Sequence, residues 1–195
     1  MKSISVAFAV LSGVCASVAH GDLWVSPTGS DSNAGTQGAP FRSVQAAVDA
    51  APAEGCVIHL AEGSYFVTAG TTPSEMLTVG KPVRIVADGA RANTVLDAEK
   101  KRRAVWINCE GAELSGVTVR NGYFQNWNFF GGVRISAGTV SNCIIEANYS
   151  YHNDGAWLDG DKAVLTDSIV RNNTSGTNPN GMGITVDKGL VERCE

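Results

Sequence analysis

The chain has 195 residues, 22 of them glycine, with sparse aromatics and a formal net charge of -4. That length holds one domain with a sizeable core, and the absence of any basic run excludes a nucleic-acid-binding reading. Val, Ile, Thr, Ser and Asn dominate the second half, a mix that favours short strands between turns over a helical bundle.

In chain order, residues 1–21 come first. Lys2 supplies a positive start, Ile4 to Val18 is an apolar run too short to cross a bilayer comfortably, and small residues near Ala19 offer a cleavage site. This is the pattern of a secretory signal peptide, so residues 22–195 are expected to act outside the cell or in a periplasm. No later segment is apolar for long enough to span a membrane. Trp24 to Pro40 is loop chemistry, rich in Ser, Gly, Asn, Asp and Pro. Phe41, Val44, Val48 and Ala51 then recur at helical spacing until Pro52, which predicts a short helix over 43–51.

From Cys56 onward no further helix is expected. Apolar runs alternate with turn residues, and they align as a repeat. Leu114, Val140, Leu165 and Val191 form one column; Val117, Cys143, Ser168 and Cys194 a second; Val119, Ile145 and Val170 a third. A fourth column reads Ile107, Val133, Leu158 and Ile184. Runs around Ile58 and Ile85 fit more loosely. One coil of about 25 residues cannot bury its apolar face alone, whereas coils stacked about 4.8 Å apart share a continuous core. The expected fold is therefore all-β, a parallel β-helix, with a cap over 22–55 and coils over 56–195.

The stretches WVSPTGSDSNAGTQGAPFRSVQAAVDAA, VIHLAEGSY, GVTVRNG and GGVRI…VSNCIIEAN resemble the secreted right-handed parallel β-helix proteins of the pectate lyase-like superfamily. The resemblance implies a right-handed solenoid whose short capping helix matches 43–51. It also implies that the first strand of each coil carries a substrate groove. It leaves activity open, because the fold hosts lyases, hydrolases and non-catalytic adhesins. The chain stops at Glu195 inside an expected strand, so a longer solenoid, truncated here at its C-terminus, is expected.

Alternation along the first strand assigns its outward residues. One outward column is Trp106, Gly132, Trp157 and Gly183; the next is Asn108, Arg134, Asp159 and Thr185; the third is Glu110, Ser136, Asp161 and Asp187. Two Trp rings with a Gly between them would suit stacking on sugars, unless the aromatic turns 123–130 and 149–154 fold over them. Trp106, Trp157, Asn108 and Arg134 are the candidate substrate-binding residues. Asp159, Asp161 and Asp187 cluster on adjacent rungs, and such acids need neutralising. Two readings stand: a Ca2+ site, or a salt-bridge ladder with Lys162 and Lys188 stacked directly after them. In the sharper reading calcium holds a uronate carboxylate and Lys162 or Lys188 acts as the catalytic base in a β-elimination; a retaining glycosidase is an alternative. Arg120, Glu146 and Arg171 read as a surface ion ladder, and Asn148 with Asn173 as stacked amides in a turn.

Cys143 and Cys194 stand two rungs apart, near 10 Å, beyond disulfide reach. Cys109 is expected in a different inward column with Ile135 and Val186, and all the thiols after the leader are expected to be free and buried. His59 and His152 show no metal-ligand spacing. The leading functional expectation is an exported monomer that binds, and in the stronger form cleaves, an extracellular polysaccharide. The alternative is a non-catalytic adhesin or spacer.

Overall fold

The computed structural model describes residues 21–67, 75–125, 130–151, 155–176 and 183–195. The expected signal peptide lies outside these residues except for Gly21, as does His152, and the turns 123–130 and 149–154 lie partly outside them. The chain runs β1 (Leu23–Val25), α1 (Val44–Ala50), β2 (Val57–Leu60), β3 (Gly63–Phe66), β4 (Glu75–Val79), β5 (Arg84–Ala87) and β6 (Thr94–Asp97). It continues with β7 (Arg103–Ser115), β8 (Thr118–Arg120), β9 (Val133–Ser141), β10 (Ile144–Glu146) and β11 (Tyr149–Ser150). The last elements are β12 (Ala156–Thr166), β13 (Ile169–Arg171), β14 (Thr174–Ser175) and β15 (Ile184–Glu192). No described helix is long and apolar enough to cross a membrane.

Every pairing between these strands is parallel. The result is a parallel β-solenoid of about four turns. The long strands β7, β9, β12 and β15 each bend once and serve two faces. β4 pairs with the first half of β7, and β5 with the second half. The first face therefore comprises β4 and the leading halves of the long strands; the second comprises β1, β2, β5 and their trailing halves. The third face is β3, β6, β8, β10 and β13.

The core is a set of stacked apolar columns. On the second face Leu23, Ile58, Ile85, Leu114, Val140, Leu165 and Val191 lie in one register. Tyr65, Leu96, Val119, Ile145 and Val170 line the third. The column read from Leu114 to Val191 thus holds and extends upstream through Ile85 and Ile58, where the sequence pattern is loose. All members except Leu23, Val170 and Val191, which lie at the ends of the columns, are buried, so each rung removes its apolar surface from water only against the next.

The first-face column is different from the one expected. Ile107 pairs with Ile135 and not Val133, and Leu158 pairs with Ile135 and Val186; Val105, Val133, Ala156 and Ile184 form the neighbouring column. The cause is the bend between the first and second faces. Seven positions separate Ile107 from Leu114 and Leu158 from Leu165, but five separate Ile135 from Val140 and Val186 from Val191. The two additional residues are absorbed as irregularities after Ile107 and Leu158. A slip of two preserves the inside–outside parity of a strand, so the inward and outward faces stand while the neighbours change. Cys109 falls within such an irregularity. It is half-buried, its thiol donating to the Glu110 carbonyl at 3.3 Å, and Ile107 occupies the inward place expected for it.

Corners are turned by single residues in the left-handed region. Gly116 (φ 77°), Asn142 (49°), Asp167 (53°) and Arg193 (52°) join the second face to the third. Asn121, Ala147 and Asn172 close the third face in the same way. Gly, Asn and Asp tolerate this conformation best, which explains the Gly, Asn and Asp that precede Val117, Cys143 and Ser168.

The N-terminal end of the core is covered by α1, which packs against β1, β2 and β4 through buried Val44, Ala47 and Val48. Ser43 is its N-cap, accepting from the Ala46 N–H at 3.2 Å. Ala51, the residue before Pro52, is already extended.

Asn148 and Asn173 form the expected amide ladder. Asn148 Oδ1 accepts from the Gly122 N–H at 2.8 Å, and its Nδ2 donates to Val119 O at 3.3 Å and Asn173 Oδ1 at 3.1 Å. Asn173 Nδ2 donates in turn to Ile145 O at 3.0 Å. Asn148→Ala strands buried partners on both sides, and urea unfolding should show a loss of about 2–4 kcal/mol with an unchanged m-value.

Cys56, Cys109, Cys143 and Cys194 are all free, as expected, but only Cys143 is fully buried. Burial pushes the Cys143 thiol up to about 11. In alkylation followed by peptide mapping at pH 8, Cys143 should remain unmodified in the native protein and react only after unfolding.

Candidate functional site

The outer side of the first face carries one continuous row: Thr78, Trp106, Arg134, Trp157 and Thr185 are successive cross-strand partners. The slip at the bend therefore places Arg134, not Gly132, between the two indoles. Its guanidinium carbon lies 5.0 Å from the Trp106 ring centre and 4.6 Å from that of Trp157. Each contact stabilises by about 0.5–2 kcal/mol, more as the cation loses water.

Asp159 neutralises that cation. Arg134 donates from Nε at 2.9 Å and from Nη2 to the same carboxylate oxygen, Oδ2. Ser136 Oγ donates to Oδ1 at 2.8 Å and accepts from Trp106 Nε1–H at 3.0 Å. Trp157 Nε1–H reaches Asp187 Oδ2 at 2.9 Å. The Arg134 side chain is 24% exposed and that of Asp159 16%, so the pair is partly desolvated and geometrically fixed. A Cβ on Gly160 would sit 1.7 Å from Ser136 O; only glycine lets the chain pass the neighbouring rung directly after Asp159.

The expected acidic cluster does not assemble. Irregularities on either side of Asp159 move Asp161 and Asp187 out of cross-strand register, and each acid has a different partner: Arg134 for Asp159, Lys188 for Asp161, Trp157 for Asp187. Among the described residues no three His, Cys, Asp or Glu side chains gather as a metal ion requires. Calcium therefore does not fit these three residues as a site built in advance, since it needs six to eight oxygens within 2.3–2.6 Å.

Nor do the two lysines stack. Lys162 lies opposite Ala137 and Lys188 opposite Asp159. Lys162 Nζ is 4.0 Å from Glu110 Oε1, and Lys188 Nζ is 3.4 Å from Asp161 Oδ2. All four side chains are more than half exposed, which makes them solvated ion pairs of small energy. Asn108 is exposed opposite Ala137, beyond the aromatic row. The Arg120–Glu146–Arg171 ladder is present, with Arg171 Nε 2.9 Å from Glu146; Arg120 turns to Asp97 at 2.8 Å.

Two further clusters were not read from the sequence. His59 stacks on Trp24 at 5.1 Å and contacts Asp88 through Nδ1 at 2.8 Å and Asp22 through Nε2 at 3.5 Å. Aligning LWV of β1 with IHL of β2 would have paired Trp24 with His59. Arg103 pairs with buried Glu75 and lies 4.8 and 5.2 Å from the Phe124 and Phe130 rings. Burial lowers the Arg103 pKa, and Glu75 opposes that shift.

Comparison with known proteins agrees with this architecture. Over 81 residues, 42% of this chain, the sequence is 41% identical to pectate lyase PEL9 of Emericella nidulans. The matched part is only 18% of that lyase, so the chain spans a small fraction of its curated relative. Two solved structures share the fold at low identity. A GH136 lacto-N-biosidase from Eubacterium ramulus aligns over 78% of this chain and 34% of its own, with a TM-score of 0.56 at 16% identity. A rhamnogalacturonan lyase aligns over 89% and 56%, with a TM-score of 0.50 at 17% identity. The family described as "protein of unknown function (DUF1565)" matches residues 27–192, and this chain belongs to it.

Proposed function

We propose that this chain binds an extracellular polysaccharide along the outer side of its first face, and that the described residues there serve binding and not bond cleavage. The observation that carries the reading is the Trp106–Arg134–Trp157 row. The indoles supply an apolar, half-exposed body, and the guanidinium between them retains N–H donors beyond the two that Asp159 takes. Apolar flanks with a few fixed polar handles are what hold a sugar chain. Because Arg134 occupies their facing sides, the rings meet a ligand with edges and outward surfaces, so the site is a ridge and not a slot.

Kinship with a pectate lyase supports an acidic glycan as ligand, and the leader-like residues 1–21 support an extracellular place of action. Polygalacturonate binding by affinity electrophoresis should weaken about tenfold in Trp157→Ala, the size of effect expected for one aromatic anchor. Unchanged retardation would remove the row from the reading.

Cleavage is the second reading, and the pectate lyase relative favours it. The geometry supports it less: Lys162 and Lys188 lie in exposed ion pairs, and among the described residues no acidic cluster gathers beside them. Incubation with polygalacturonate, with and without calcium, should yield no ultraviolet absorbance from an unsaturated product. A calcium-dependent product that disappears in Lys188→Ala would replace binding with β-elimination.

A further inference from the structure

A cavity of about 600 Å³ opens beside the N-terminal cap, between the loop of residues 26–43 and the outward side of β3. Its size lies in the range of small-molecule sites. Its walls include Ser30, Asp31, Arg42, Ser64 and Phe66. The loop wall is held rigidly: Ser30 N–H donates to Pro40 O at 3.2 Å, and Ser26 N–H to Phe41 O at 2.9 Å. Asp31 is committed to that wall, accepting from Arg42 N–H at 3.0 Å, Ser43 N–H at 2.7 Å and Ser43 Oγ at 2.9 Å.

Two features of the cavity are not accounted for by packing. Phe66 is 54% exposed; the other exposed large apolar side chains, Val186 and Leu190, are both on the last strand. Phe66 is aimed outward by alternation with Tyr65, which is buried with its hydroxyl 2.7 Å from Ala61 O and 3.0 Å from Val25 O. Arg42 is exposed, and among the described residues its side chain has no ion-pair partner, although its backbone N–H is anchored. Phe66, Arg42, Ser30 and Ser64 therefore line one cavity, with the Ser30 hydroxyl also 2.8 Å from that of Ser32.

We infer that this cavity is a second saccharide subsite, separate from the first-face row, that takes a uronate residue of an oligosaccharide. The ring of Phe66 covers the C–H face of the sugar, Arg42 takes its carboxylate through two parallel N–H donors, and Ser30 and Ser64 meet its hydroxyls. The inference rests on the polysaccharide reading above and gives it a carboxylate-bearing ligand. β3 belongs to the third face and the Trp–Arg–Trp row to the first, so the two sites are testable independently.

The test is a calorimetric titration of the intact chain with trigalacturonate and with its fully methyl-esterified form, each variant first checked for an unchanged melting temperature. The acid form should bind, with the ester at least about tenfold weaker. Arg42→Ala should lose about tenfold, Arg42→Lys about threefold because it keeps charge but not the fork, and Phe66→Ala about fivefold. Ester binding equal to the acid, or Arg42→Ala and Phe66→Ala both within twofold of the parent chain, would overturn the subsite. If the parent chain retains polygalacturonate but not the trimer, the cavity fails while the first-face reading stands. Binding of neither ligand defeats both.

Discussion

The vertical stacking of apolar residues between coils is the constraint on which the rest of the molecule depends. Leu23, Ile58, Ile85, Leu114, Val140, Leu165 and Val191 share one register across seven parallel strands. No single coil has an interior of its own; each inward side chain leaves water only because the coils above and below do the same. The corners answer to this requirement. Single left-handed residues between the second and third faces, at Gly116, Asn142, Asp167 and Arg193, let the chain change face without moving the column, and the amides of Asn148 and Asn173 satisfy buried backbone groups where the chain leaves the third face.

Outside the core, the same stacking turns a list of side chains into an electrostatic structure. Arg134 lies between two indoles because one rung is one cross-strand spacing, about 4.8 Å, which fits a planar cation between planar rings. Asp159 then neutralises it from the next rung, and Ser136 links the carboxylate to Trp106. The Glu75–Arg103 pair beside Phe124 and Phe130 uses the same combination at the entrance to the first face. In both places an arginine is held by a carboxylate and aromatic rings together, which keeps its desolvation tolerable. The acids and lysines at the bend past Asp159 are solvated pairs instead, and this contrast separates the organised part of the surface from the rest.

Family membership and the short, strong match to a pectate lyase place the chain among β-helix proteins, while the solenoid itself is neutral about chemistry. What distinguishes this surface is where its fixed groups are. The first face offers a rigid aromatic row with a partly used guanidinium; the cap offers an exposed phenyl ring beside a guanidinium that has no ion-pair partner among the described residues. Both set guanidinium N–H donors beside an apolar plane.

The repeat, the inward columns of the second and third faces, the capping helix, the amide ladder and the free thiols were all legible in the sequence. Inward positions of a stacked solenoid have to be apolar whatever their neighbours, so burial writes itself into the letters. The partners across the first face were not legible. Inside–outside alternation is unchanged by a slip of two residues, so the pattern could not distinguish Gly132 from Arg134 as the residue between Trp106 and Trp157, or tell whether Asp161 faced Asp187. The Phe66 cavity was equally hidden, because it joins residue 42 of the cap to residue 66 of β3. Tertiary structure decided these points through the length of chain spent at each bend, a quantity set by how the backbone packs around the corner and not by the hydrophobicity of the residues that turn it.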